Sequence, residues 1–307
     1  MSSIALCIPA YNAALYLPRL LMSATNQRIA FNEILVYNDC STDNSSRIAS
    51  QFGALVVEGD INRGCSIGKN KLAEIAKSEW LHFHDADDDI LPDFTETIHK
   101  WIINKKSPDI VLLHYNWINF KTKKLLGQPD YKIEQIAEDT VKFNITNKVV
   151  NFALIKKKSF LNIGGFDTDK NVLFNEDRAF YTKAAIKGLS FDYEPTLTCI
   201  NYYYPGSMSE ANKAKCAKAS LVVWQKVIKA TKQQYSKEIA QQILNNATFA
   251  ATANDWQTVR GSIKIVKEIY QDIKPQGSRL FLKLYQVFPY AAFVIREYVL
   301  RYFFRKR

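Results

Sequence analysis

Between residues 4 and 115, short apolar runs alternate with segments whose apolar side chains recur at helical spacing. The runs are IALCI (4–8), EILVY (33–37), ALVVEG (54–59), WLHFH (80–84) and DIVLLHY (109–115). The first has almost no polar content, as expected of a strand covered on both faces. Over 15–26, Leu17, Leu20, Leu21 and Ala24 share one helical face, with Pro18 tolerated in the first turn. Ser41, Thr42 or Asp43 can cap the next helix and Gly53 can end it. Residues 67–77 repeat Ile67, Lys71, Leu72, Ile75 and Ala76 at helical spacing, and Pro92 opens a helix over 92–104. This β-α-β order needs crossover helices, so it predicts an α/β fold with a parallel sheet. Ligands gather at the carboxyl ends of such strands, where Asn12, Asp39 and Asp85 fall. Residues 115–165 read as mixed. From 212 the pattern is helical: 211–232, 236–252, 254–272 and 278–304, with Pro289 expected to kink or divide the last. The chain thus divides into an α/β part, 1–211, and a helical part, 212–307.

The formal net charge of +11 is unevenly placed. Residues 213–307 hold 18 Lys and Arg against 5 Asp and Glu, whereas residues 1–212 hold 23 against 25. A basic C-terminal third implies an anionic partner. No nucleic-acid-binding motif accompanies it, so a nucleic-acid partner is not expected. The cysteines at 7, 40, 65, 199 and 216 are odd in number and include no Cys-x-x-Cys pair. That argues against a disulfide framework and a zinc site, and fits a reducing cytoplasm. No basic segment precedes the short first apolar run, so no signal peptide is expected. The uncharged C-terminal stretch 284–295 is shorter than the ~20 helical residues that span a bilayer.

HDADDD (84–89) follows the fourth strand and brings four carboxylates into five positions. Their repulsion is unfavourable unless a cation neutralises it, and oxygen donors suit Mg²⁺ or Mn²⁺. A solvated turn with a helix cap is the plainer alternative. After the second strand, YNDCSTDNS (37–45) offers Asp39 as an acceptor for a base N–H or ribose hydroxyl, with Asp43 either a cap or a ligand contact. Tyr11 in PAYN (9–12) can stack on a base or lie on the surface. NRGCSIGKN (62–70) is a Gly-containing loop running into a helix, where Lys69 and the N–H groups can face a diphosphate. It is not a Walker loop. Trp80, Trp101, His82 and His84 read as core.

In order, IPAYNAALYLPRLLMSA (8–24), ILVYNDCSTDNS (34–45), NRGCSIGKNKLAEIAKSEWLHFHDADDD (62–89), LIKKKSFLNIGGFD (154–167) and NEDRAFYTKAAIKG (175–188) resemble the family 2 glycosyltransferases. The resemblance covers residues 4–209. It implies a GT-A fold, a Rossmann-like, mostly parallel nucleotide-binding sheet with helices on both faces, over residues 1–211. It places Pro9, Tyr11, Asn12, Asp39, Asn62, Gly64, Lys69, Asp85 and Ala86 along a nucleotide-sugar donor, a UDP-sugar from the positions of Tyr11 and Asp39. It makes Asp85 and Asp87 the DxD motif, with Asp87 the direct metal ligand, Asp85 nearer the ribose and Asp88 a further ligand candidate for Mn²⁺ or Mg²⁺. Asn175-Glu176-Asp177 matches the motif that carries the base of inverting members, assigned here to Asp177 with Glu176 positioning the acceptor. GGFD (164–167) either lines the acceptor or is a plain turn.

Three positions depart from the family pattern. Asn38-Asp39-Cys40 stands for Asp-Asp-Gly, Lys69-Asn70 for Arg-Asn, and Tyr204 for the His often found before Pro-Gly-Ser. The last puts metal affinity in question. No Q-x-x-R-W motif is present, so a processive synthase is not expected. The implied activity is transfer of a sugar to a saccharide or lipid-linked acceptor hydroxyl, by resemblance in surface polysaccharide or lipopolysaccharide synthesis. The alternatives are a binding or scaffold protein on the same fold and a sugar nucleotidyltransferase. Residues 279–307 mix aromatics with Arg and Lys, the composition of a helix lying on an anionic membrane or packed on protein, including a second copy. The expected location is cytoplasmic, peripheral on the inner face of the cytoplasmic membrane.

Overall fold

The structure, a computed structural model, describes residues 2–104 and 108–304; nothing is said of the side chains of Asn104, Ser209 and Phe304. In the first stretch β1 (Ile4–Ala10), α1 (Leu17–Thr25), β2 (Glu33–Asn38), α2 (Ser45–Gln51), β3 (Leu55–Glu58), α3 (Cys65–Ile75) and β4 (Trp80–Phe83) alternate as expected. Then come β5 (Asp89–Ile90), α4 (Phe94–Asn104), β6 (Ile110–Asn119), β7 (Leu125–Gly127), α5 (Ile133–Glu138), α6 (Thr140–Thr146), β8 (Ala153–Lys156), α7 (Lys157–Asn162), α8 (Glu176–Ile186) and β9 (Phe191–Tyr203). The remainder is helical: α9 (Met208–Ala211), α10 (Lys213–Ala230), α11 (Ser236–Thr252), α12 (Trp256–Ile269), α13 (Arg279–Val287) and α14 (Pro289–Phe304). Pro289 divides the last predicted helix in two: it cannot donate the backbone hydrogen bond that would continue α13.

The chain forms two compact units. One comprises residues 1–140, 149–168 and 183–205; the other comprises 141–148, 169–182 and 206–307. The nine strands among the described residues all lie in the first unit, in the order β3-β2-β1-β4-β8-β6-β9-β5, with β7 on β6. β1, β2, β3 and β4 pair in parallel, β8 runs antiparallel to both β4 and β6, and β9 is parallel to β6. The short β5 and β7 run against β9 and β6. The sheet is therefore mixed, although its longer members share one direction.

Every residue of β1 is buried. Ile4, Leu6, Ile8 and Ala10 face one core with Leu17, Leu20, Leu21 and Ala24 of α1 and with Phe94, Ile98 and Trp101 of α4. The alternate residues face the opposite side, where α3 packs on β1 and β2. This explains the uninterrupted apolar run: a strand covered by helices on both faces has no solvent side to fill with polar residues. Truncating a core residue such as Leu20 to Ala is expected to cost about 2–5 kcal/mol. The chain passes from β1 outward to β3, then returns to place β4 on the other side of β1. In sheets of this kind ligands bind at such a reversal, outside the carboxyl ends of the strands, here those of β1 and β4.

In the second unit, α10, α11 and α12 pack on one another, and α14 packs on α11, α12 and α13. Trp224, Ile239, Ile243, Leu244, Val259 and Val266 are among its buried residues. None of the described helices is long and apolar enough to cross a membrane.

Candidate active site

The loops after β1 and β2 are joined by the polar residues the sequence places there. The Asn12 backbone N–H donates to Ser41 Oγ at 2.9 Å, and the Thr42 N–H donates to Asn12 Oδ1 at 2.8 Å. Asn12 takes a left-handed conformation (φ 49°), which Asn tolerates better than most residues. Asp43 accepts from the Ala14 and Ser45 N–H groups at 3.0 and 2.9 Å. Its role is therefore structural, and α2 starts one residue beyond the expected cap, after Asn44. Pro9 is buried in β1, while Tyr11, just past its end, is 51% exposed.

Asp39 is buried and accepts from the Gly64 N–H at 2.8 Å and the Arg63 N–H at 2.9 Å. It thereby pins the exposed Asn62 loop to β2 and fixes Gly64 at the start of α3. Gly64 adopts φ 90°, a conformation that a side chain would strain. Cys40 takes φ 61°, so the turn keeps the left-handed geometry although the family's glycine is absent. Asn38 donates to Glu58 Oε2 at 2.6 Å and ties β2 to the end of β3.

The buried face of α3 is Ser66, Gly68, Lys69, Leu72 and Ala73; Lys71 is exposed. Lys69 is 1% exposed, with its ammonium 3.9 Å from Asp85 Oδ1 and 4.9 Å from the centre of the Phe166 ring. A buried ammonium needs such an anion, because desolvation is otherwise costly. Asp85 also accepts from Asn151 Nδ2 at 3.2 Å. The Asn70 side chain binds the Phe166 backbone twice, accepting from its N–H at 2.8 Å and donating to its carbonyl at 3.0 Å. GGFD is thus a turn locked to α3, and it carries the ring under Lys69.

Three of the four acids after β4, Asp85, Asp87 and Asp88, have different surroundings. Asp88 is buried, with one oxygen accepting from the Tyr202 N–H at 2.7 Å and the other from Asn201 Nδ2 at 2.8 Å. Burial raises its pKa well above the usual range, with Asp87 and Asp85 adding to the rise. Asp87 is half-buried, and burial raises its pKa too; among the described residues its carboxylate accepts only from its own backbone N–H. Asp85 is 43% exposed and Ala86 half-buried. Asp87 therefore presents the donor set that best fits a hard cation: anionic oxygens with few protein partners, in a place where a nearby positive charge relieves an unfavourable one.

Below this turn lies a residue that the sequence reading passed over. Arg19 of α1 donates Nε to Asp89 Oδ1 at 2.6 Å, Nη1 to Tyr204 Oη at 2.8 Å and Nη2 to the Asp87 carbonyl. Its guanidinium also lies 4.6 Å from the Tyr202 ring centre and 5.1 Å from that of Phe120. Tyr204 Oη donates to the same Asp87 carbonyl at 3.3 Å. The position where the resemblance leads one to expect a histidine thus reaches the turn of Asp85–Asp88, but as a phenol. The signal for Arg19 in the sequence is slight: one cation beside an apolar helical face.

Trp80 and Trp101 are core, as read. His82 and His84 are fully buried neighbours with 3.0 Å between Nε2 and Nδ1, and burial lowers the His82 pKa to about 4. Their ligand atoms lie within 4.8 Å of Cys199 Sγ, a thiol whose pKa burial pushes far up. Glu176 and Asp177 belong to the second unit, in the first turn of α8. The preceding Phe174 is left-handed (φ 78°), and Asn175 Nδ2 donates to the Cys216 carbonyl at 2.9 Å, so α8 is anchored to α10 where the acids begin. Glu176 is buried, Asp177 half-buried, and Lys148 of the same unit lies within electrostatic range of Asp177.

Residues 5–164 match the family model described as glycosyl transferase family 2. The chain belongs to this family. An uncharacterized glycosyltransferase of Haemophilus influenzae is 28% identical over 183 residues, covering 59% of this chain and 61% of that protein, so the match spans under two thirds of the relative. Among solved structures, Staphylococcus aureus TarS 1–349 in complex with UDP-GlcNAc has a TM-score of 0.65 at 16% identity, covering 97% of this chain and 91% of that one. The mannosyltransferase PcManGT from Pyrobaculum calidifontis, in complex with GDP-Man and Mn²⁺, has a TM-score of 0.60 at 18% identity, covering 98% and 87%. At these identities the likeness shows the fold, GT-A followed by a helical region. This family 2 glycosyltransferase therefore has the fold expected from its motifs.

Proposed function

We propose that this glycosyltransferase moves a sugar from a nucleotide-diphosphate donor, a UDP-sugar, to a hydroxyl of a saccharide or lipid-linked acceptor, with inversion at the anomeric carbon. The observation that carries the reading is the state of Asp87, a half-buried carboxylate with no protein donor beyond its own N–H among the described residues. It stands beside Asp85 and Lys69 in the crevice where ligands of such sheets bind. The solved complexes with UDP-GlcNAc and with GDP-Man and Mn²⁺ support a nucleotide-sugar and a divalent ion.

Asp87 would hold the ion, with Asp85 beside it; the ion supplies Lewis acidity that stabilises the departing diphosphate. In this reading Asp88, both of whose oxygens take protein donors, serves as a strut rather than a ligand. Lys69 adds positive charge near the diphosphate, and the Gly64 end of α3 adds N–H groups. Tyr11, Pro9, Asn12 and Asp39 line the base and ribose, with Asn62 and Ala86 along the same donor. Asp177 takes the proton of the attacking hydroxyl, a contribution of ~10²- to 10⁴-fold, and Glu176 positions the acceptor.

Release of UDP across a donor panel, with and without manganese, tests the activity. Asp177→Asn is expected to abolish transfer while calorimetry still detects donor binding. Turnover retained in that variant removes Asp177 from the role of base. Donor binding without any UDP release in the unmodified protein favours the second reading, a binding protein on this fold, which the tyrosine at 204 makes worth testing.

A further inference from the structure

α13 and α14 pack on each other through one side each. Phe281 and Tyr285 of α13 are buried, with ring centres 5.4 and 6.0 Å from that of Phe293 on α14. On α14, Ala292, Phe293 and Glu297 face inward. The other side of α14 presents Ile295, Tyr298, Val299, Tyr302 and Phe303, exposed by 47, 71, 41, 63 and 65%. These positions recur at helical spacing, so they form a continuous stripe. On an ordinary surface helix this stripe faces the core; here it faces outward. Tyr298 and Tyr302 lie parallel, with an interplanar angle of 12°. At the start of α13, Leu280 is 77% exposed, and Val287 and Phe288 are 67 and 61% exposed. Arg279 and Lys283 are exposed beside them.

We infer that this outward face of α13 and α14 is a docking surface for an anionic membrane, on which the helices lie without crossing it. Neither helix is long and apolar enough to span a bilayer. Aromatic side chains with one polar tip suit the headgroup boundary, and flanking cations meet anionic lipid. The charge decides between occupants. Glu297, the one acid among residues 279–304, is buried and paired with Arg296 at 2.6 Å, so it offers nothing to a cationic partner. A second copy seated on this face would set like against like, and residues 213–307 carry 18 basic and 5 acidic side chains. An anionic sheet of lipid has the opposite sign. The residues Arg305, Lys306 and Arg307, part of the basic stretch noted in the sequence, lie outside the described residues. This inference relies on the proposed function only for its purpose, bringing a lipid-linked acceptor to the enzyme; the binding itself does not depend on it.

Flotation of the whole protein with vesicles of 30% phosphatidylglycerol in phosphatidylcholine tests it. The protein is expected to float with these vesicles and to bind purely zwitterionic ones about 25-fold more weakly, about fivefold for each of Arg279 and Lys283. The combined variant Tyr298→Ser, Tyr302→Ser, Phe303→Ser is expected to lose at least tenfold in binding. Its melting temperature and its donor hydrolysis should stay unchanged, since these side chains are exposed and outside the proposed active site. Absence of flotation at low salt overturns the inference, as does flotation unaffected by the variant. So does a dimer in sedimentation equilibrium that the variant dissociates while leaving lipid binding intact. Loss of sugar transfer with flotation preserved would instead count against the proposed function alone.

Discussion

Replacing Arg19 by Met removes the guanidinium that links α1 to the acidic turn after β4 while keeping most of the apolar stem. Three contacts go: the ion pair with Asp89 at 2.6 Å, the bond to Tyr204 Oη at 2.8 Å, and the bond to the Asp87 carbonyl. The ion pair is partly buried, with side-chain exposures of 31 and 17%, so it is worth more than a surface pair. A hydrogen bond to a charged group contributes about 1.5–3 kcal/mol and a neutral one about 1 kcal/mol. Asp89 retains the Tyr202 hydroxyl at 3.0 Å, which offsets part of the loss. Contacts sharing one group are not additive, so a net destabilisation of about 3 kcal/mol is expected. For a unit of this size that lowers the melting temperature by about 6–12 °C. A merely structural arginine would do no more than this. If Arg19 positions Asp87, the manganese concentration for half-maximal UDP release should also rise about tenfold, the equivalent of about 1.4 kcal/mol. Arg19→Lys should fall between the two, since it keeps the charge but not the fork. Thermal melting and a manganese titration read both effects at a temperature where the variant is folded. An unchanged manganese optimum with the expected loss of stability would refute the positioning role, and an unchanged melting temperature would refute the reading of the cluster itself.

Gly165→Ala should destabilise the protein by at least about 2 kcal/mol in thermal or urea unfolding, because φ is +57° and the new methyl would lie 2.3 Å from Asn70 Oδ1 and 2.9 Å from the Phe160 ring. Gly164→Ala, left-handed but open, should cost less. Asp109 is a pH-dependent strut: burial alone would raise its pKa, but bonds from Ser159 and from the backbone and hydroxyl of Ser190 outweigh that and lower it. A depressed folded pKa gives stability that is present above the usual aspartate value, about 4, and lost as pH falls through the lower folded value. Asp109→Asn should therefore melt below the unmodified protein at pH 7, and the gap should close below about pH 4; a gap independent of pH would contradict this assignment.

The first half of the fold was legible because burial and periodicity coincide there. Leu17, Leu20, Leu21 and Ala24 are the buried residues of α1, and the run 4–8 lies within the fully buried β1. The later strands were not legible. β8 has only four residues, β5 only two, and β9 reaches thirteen while mixing buried and exposed positions without clean alternation. Their pairing depends on long-range partners that no local window contains. Within the site, the acids after β4 stand out as charges at the end of an apolar strand. Their division of labour does not, because it depends on Asn201, Tyr202 and Asn151, which are distant in sequence. The inward turn of Lys69 was equally hidden: helical spacing groups Lys71 with Leu72, and the Asp85 carboxylate and Phe166 ring that meet Lys69 lie outside its helix.

The tyrosine at 204 can be weighed on electrostatic grounds. A phenol ligates a hard cation well only as its anion, and here burial raises the Tyr204 pKa, with Asp87 and Asp88 adding to the rise against the opposing effect of Arg19. Tyr204 therefore stays neutral near pH 7 and spends its oxygen on Arg19 and the Asp87 carbonyl. What it provides is order at the turn rather than a lone pair for the proposed ion. Tyr204→His reverses that exchange. The imidazole offers a nitrogen donor beside Asp87, while the bond at 2.8 Å to the Arg19 guanidinium is lost, a cost of about 1.5–3 kcal/mol. Manganese half-saturation should then shift to lower concentration even as the melting temperature falls by about 3–12 °C. Tyr204→Phe, which loses the same bond and gains no ligand, should lower stability without tightening manganese. If His and Phe shift the metal dependence alike, position 204 acts on the ion through the order of the turn alone.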